Sequence, residues 1–171
     1  RSRWRGAVAA LAVVATAIPV VLAVSSGTAS AAGAVTPSKT SNIAYAGETL
    51  TITGSGFDSS GSRGIYVMFC QQVGTSGTAA GRPSGANCSG AQQWISATPG
   101  ATATWTGSGT FSVTLAVSGA FKAIDCNASG TVCGIVTRND HTEPGSYDQD
   151  TFTPITFAPD PATTTTTEAT T

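Results

Sequence analysis

The chain has 171 residues, only 10% of them charged, with 20 glycines and a net charge of -1. Arg1, Arg3 and Arg5 precede an apolar run. Without them the 8 basic residues fall to 5 against 9 acidic, a balance of -4. Nucleic-acid binding needs a basic stripe to neutralise phosphates, so direct contact with DNA or RNA is excluded as a working reading. Thr and Gly are the commonest residues over 33–171, which favours an all-β domain over a helical one.

Residues 1–32 read as an export signal. The three arginines form its positive start, 7–24 is apolar apart from Thr16, and Ala29-Ser30-Ala31 supplies a small-x-small cleavage site. The same apolar run is long enough to serve as a tilted membrane anchor, but the cleavage site favours removal. Export explains the four cysteines, Cys70, Cys88, Cys126 and Cys133. In an oxidising compartment they read as two disulfides, for which three pairings are possible. Sequential pairing fits two local closures, one across a Gly-rich excursion and one across a tight turn. In the chain-entropy model these loops contribute about 3 and about 2.5 kcal/mol. A zinc site would need more than one histidine or a Cys-x-x-Cys pair, and neither is present.

The folded part spans 33–158, enough for one core. Residues 35–38 open it as a short edge strand, where Pro37 is tolerated. Residues 48–53 alternate, Leu50 and Ile52 against Thr49, Thr51 and Thr53. Residues 64–71 form the strongest strand, with Ile65, Val67 and Phe69 on one face and Tyr66, Met68 and Cys70 on the other. Two apolar faces place it in the middle of the domain. A long Gly/Ser/Ala connection follows over 72–89. Further strands are expected at 91–96, 103–105, 110–115, 121–126, 133–137 and 153–157, with a polar loop over 138–151. Seven to nine strands at short spacing, antiparallel by connection length, imply an all-β Greek-key antiparallel β-sandwich. Residues 159–171, with the threonine run 163–167, cannot bury a core and read as an extended stalk. A membrane would then be met only through an uncleaved leader or an anchor beyond Thr171.

Catalytic constellations are missing. His141 is the one histidine, no Gly-x-Ser-x-Gly elbow accompanies it, and bridged cysteines supply no thiolate. No catalytic residue, cofactor or metal is expected, and a secreted hydrolase ranks last among the readings. Asp140, Glu143, Asp148 and Asp150 offer oxygen ligands within one loop, but their spacing matches no EF-hand, so a solvated hairpin loop is the better reading. Trp94 and Trp105 sit among polar neighbours and are the first candidates to face a flat apolar ligand, with Phe121 beside them. Asn87-Cys88-Ser89 and Asn127-Ala128-Ser129 match the glycosylation sequon by chance.

The domain resembles the neocarzinostatin-like family, the secreted actinomycete apoproteins that carry enediyne chromophores. The resemblance rests on Val35-Thr36-Pro37-Ser38, on Leu50-Thr51-Ile52-Thr53-Gly54-Ser55-Gly56-Phe57, and on the strand from Tyr66 to Cys70 followed by a second cysteine. It rests most on Asp125-Cys126 and Cys133-Gly134-Ile135-Val136 running to Ile155-Thr156-Phe157. It implies a seven-stranded immunoglobulin-like sandwich with two local disulfides, a ligand cleft beside them and no catalysis. It also places the loop 138–151 at the rim of that fold, with Asn139 and His141 as candidate ligand contacts. The insertion between Cys70 and Cys88 and the Thr-rich tail depart from the family pattern and favour a surface-displayed relative. The expected function is therefore an exported, non-enzymatic module, extracellular or at the cell surface. It would bind an apolar small molecule or a cell-envelope partner, and the alternative is a secreted antibiotic carrier.

Overall fold

The computed structural model describes residues 33–162. The expected leader and residues 163–171 of the expected stalk lie outside them. Nine strands follow in order: β1 (Ala34–Pro37), β2 (Glu48–Ser55), β3 (Ile65–Gln71), β4 (Cys88–Ile95), β5 (Phe111–Val117), β6 (Ala120–Phe121), β7 (Ile124–Asp125), β8 (Cys133–Asn139) and β9 (Thr151–Ile155).

The alternating segments make the first sheet, ordered β1-β2-β5. β2 buries Leu50, Ile52 and Gly54 and leaves its threonines exposed, while β5 buries Phe111, Val113, Leu115 and Val117. Antiparallel register sets Leu50 opposite Leu115, Ile52 opposite Val113 and Gly54 opposite Phe111. Gly54 leaves room for that ring, because a Cβ there would lie 2.0 Å from Phe111. The second sheet is ordered β4-β3-β8-β9. Seven strands thus form two antiparallel sheets, and the chain changes sheet between β2 and β3, between β4 and β5, and between β5 and β8. This is the expected Greek-key sandwich. β6 and β7 form a separate two-stranded ribbon.

Inward side chains of both sheets make one core, including Leu50, Ile52, Phe111, Ile65, Val67, Phe69, Ile95 and Ile135. β3 buries both faces almost completely, as its two apolar faces require, and its neighbour β8 does the same. Its outward residues Met68 and Cys70 form a second cluster with Cys88 and Val136, flanked by Tyr66 and Phe152. The disulfides are Cys70–Cys88 and Cys126–Cys133, and among the described residues no cysteine is free.

Several element bounds differ from expectation. Residues 103–105 form no strand: Ala103 makes a single parallel bridge to Ile95. The expected strand 121–126 is interrupted at Lys122, whose φ of 52° turns the chain and leaves the ribbon β6–β7 in its place. The last strand runs over Thr151–Ile155, two residues earlier than its apolar residues suggest, because the β8–β9 ladder already begins with Thr137 opposite Thr151. The connection after β3 contains two 3-10 turns, Ala79–Gly81 and Gly85–Asn87.

The loop between β8 and β9 is tied to the body by Arg63. Its guanidinium donates to Asp58 and Glu143 and, at 2.9 Å, to Asp148. Hydrogen bonds from Ser60, then the Arg63 contact, hold the Asp58 carboxyl down at about 2. Burial works against ionising Asp148, but bonds from Ser146, Asn139 and Arg63 outweigh it and hold this group at about 2 as well.

Two outcomes follow from these contacts. Ile135 is fully buried, so Ile135→Ala is expected to cost about 2–5 kcal/mol in denaturant unfolding. Asp58 and Asp148 have folded pKa values below the unfolded value of about 3.9. Their stabilisation is therefore complete above about pH 4 and drains away as the pH falls through about 2. Arg63→Met removes part of that depression and is expected to move the acid-unfolding midpoint to higher pH. An unchanged midpoint in a circular-dichroism pH titration would count against Arg63 as the tie.

Candidate functional site

The outward face of the second sheet is built row by row. Trp94, Tyr66 and Arg138 lie opposite one another across β4, β3 and β8. Gln92, Met68 and Val136 form the next row, and Cys88, Cys70 and Gly134 the one beyond, past a register shift between Met68 and Cys70. The Cys70–Cys88 disulfide thus lies directly across two neighbouring strands. Gly134 is required here, since a Cβ would meet the Thr153 carbonyl oxygen at 2.4 Å and the Phe152 ring at 2.6 Å.

The connection 72–87 folds back over this face. Pro83, Ser84 and Gly85 close a cleft of about 120 Å³ together with Met68, Cys88, Gln92 and Arg138. Arg82 anchors the connection. Its Nε donates to Asp150 at 2.7 Å, and its other nitrogens reach Asp150 and the carbonyls of Pro144 and Ser146. The guanidinium lies 4.3 Å from the Tyr147 ring. Side-chain exposures of 12% for Arg82 and 5% for Asp150 make this a buried ion pair, so removing one partner strands the other charge. Lys122 Nζ donates to the Gly85 carbonyl.

The candidate ligand contacts scatter. Trp94 and His141 meet, with ring centroids 5.0 Å apart, and Tyr66 Oη lies 2.8 Å from His141 Nδ1. Trp94 Nε1 donates to Asp140 Oδ2 at 2.8 Å, and neither of the two lines the cleft. Burial opposes ionisation of Asp140, but bonds from Thr142 and Trp94 outweigh it and hold the carboxyl below its ordinary range. Trp105 packs on the core side against Phe57 and Phe111, at 6.5 and 6.3 Å. Phe121 stacks edge-on to Phe69 at 5.0 Å and lines a separate open depression of about 480 Å³ with Gly47, Ser89 and Val117. Asn139 is buried and serves the loop, donating to the Ser146 carbonyl and Asp148 and accepting from Gln149.

The four loop carboxylates are divided among partners: Glu143 and Asp148 on Arg63, Asp150 on Arg82, Asp140 on Trp94 and Thr142. Among the described residues no group of three or more carboxylate, histidine or cysteine side chains is arranged to hold a metal ion. The cleft residues Gln92, Pro83 and Arg138 are absent from the candidates read in sequence. For Arg138 a signal existed, since it alternates with Val136 on β8 and so shares the face of Met68.

Residues 34–157 match the model of the neocarzinostatin family, and the chain belongs to that family. Its members are secreted, small ligand-binding β-sandwich proteins, generally without enzymatic activity, that take small apolar chromophores. Comparison with curated proteins and with solved structures gives no match.

Proposed function

We propose that this member of the neocarzinostatin family is a non-enzymatic exported module that binds an apolar small molecule in the cleft beside Cys70–Cys88. The observation that carries the reading is the apolar floor of that cleft, Met68 and the disulfide, on a sheet face where exposed polar residues would otherwise be the rule. The Thr-rich segment 163–171 suits display at the cell envelope.

Carriage of an enediyne-type chromophore is the second reading, favoured by the family alone. Size argues against it as the cleft stands. Pockets for drug-sized ligands occupy roughly 300–1,000 Å³, against about 120 Å³ here. A cavity of about 150 Å³ holds benzene, so the closed cleft suits a single-ring ligand. A polycyclic guest requires 72–87 to move, and the Arg82–Asp150 pair opposes that movement.

Titration of the chain with phenol, followed by amide NMR, is expected to shift the signals of Met68, Gln92 and Gly85 saturably. Gln92→Trp fills the cleft and is expected to abolish those shifts; shifts that survive it, or that map to the opposite sheet, contradict the reading. Arg82→Met is expected to cost about 3 kcal/mol by leaving Asp150 buried and unpaired. In the same titration with 2-naphthol it is expected to bind tighter than the parent chain. Equal naphthol affinity would remove the connection 72–87 as the cover that sets guest size.

A further inference from the structure

We infer that the ligand carries a carboxylate, and that Arg138 is the residue that recognises it; this rests on the cleft being the binding site. The described residues hold five cationic side chains against eight carboxylates, and three of the five form ion pairs: Lys39 with Glu48, Arg63 with Asp58, Glu143 and Asp148, and Arg82 with Asp150. The other two, Arg138 and Lys122, form none among the described residues, and both reach the cover of the same cleft. Arg138 lines the cavity itself, and Lys122 holds the Gly85 carbonyl at its edge.

Arg138 has no hydrogen-bond acceptor among the described residues, and its one polar neighbour contact is the Tyr66 ring, 5.4 Å from the guanidinium carbon. Its Nε is shielded from water with no partner. Arg63 Nε is shielded in the same way, but the Arg63 guanidinium already serves three carboxylates through its other nitrogens. A half-buried guanidinium without an acceptor, in a domain with more acidic than basic groups, carries a desolvation cost that a bound oxyanion offsets. Its planar fork matches a carboxylate better than any neutral oxygen. The geometry therefore suits a ligand whose carboxylate pairs with Arg138 while a single apolar ring covers Met68 and the disulfide.

The test compares benzoate with benzyl alcohol, which share the ring and differ in charge, by amide NMR titration of the chain. Benzoate is expected to bind about tenfold tighter, with shifts at Met68, Gln92 and Arg138 and with the preference shrinking in high salt. Arg138→Gln is expected to bring the ratio of the two affinities close to one. Equal affinities in the parent chain overturn the inference and leave the cleft as an apolar site. A benzoate preference that Arg138→Gln does not change, or shifts that map away from the cleft, overturns the assignment to Arg138. If neither compound nor phenol binds at the cleft, the proposed function falls with it. The comparison within the parent chain stands on its own, whatever the variant's stability.

Discussion

Burial of β3 on both faces is the constraint from which the rest of the molecule follows. A sandwich strand ordinarily hides one face and shows the other to water. Here Ile65, Val67 and Phe69 enter the core, while Met68 and Cys70 are equally sealed on the outside. An apolar outer face has to be covered by something, and the segment that leaves β3 is the one that does it. The connection 72–87 returns across the face it has just left, Pro83 is buried against it, and the Cys70–Cys88 disulfide fixes both of its ends. Cover and cleft are thus two consequences of one strand's composition.

With so few charges, each one that is buried or half-buried has an assignable task. Arg63 fastens the β8–β9 loop to the turn after β2, and Arg82 fastens the cover to the same loop from the other side. The two arginines share the loop's carboxylates between them, so a cluster rich enough in oxygen to suggest a cation in sequence is consumed by guanidinium groups. Arg138 stands apart from this pattern, and its position beside the cleft is what turns an apolar pocket into one with a preferred chemistry.

Much of the architecture is legible in the sequence. Leu50-Thr51-Ile52-Thr53 and Phe111-Ser112-Val113-Thr114-Leu115 alternate so cleanly that only a half-buried strand accommodates them, and the sheet pairs them residue for residue. The doubly apolar run at 65–70 announced a central strand. Weaker segments failed for physical reasons. Residues 103–105 lack the length to sustain a ladder, and the 121–126 segment contains a left-handed turn at Lys122 that its residue type does not advertise. The aromatic candidates show the limit most clearly: Trp94 and Trp105 look alike in sequence, each among polar neighbours. One shares the outer face with Tyr66 and the other packs against Phe57 and Phe111 in the core.

By itself the sequence determined the fold class, the strand at the centre, the pairing of the cysteines by local closure and the family, because periodicity and short-range spacing act along the chain. Only the tertiary structure decided which face became a cleft, how large it is, and which cation among the described residues was left without an acceptor. Those depend on where 72–87 lands and which carboxylate each arginine meets, at separations of 68 residues for Arg82–Asp150 and 85 for Arg63–Asp148. Local pattern carries no information about such meetings, since they are set by the packing of two sheets and the loops between them.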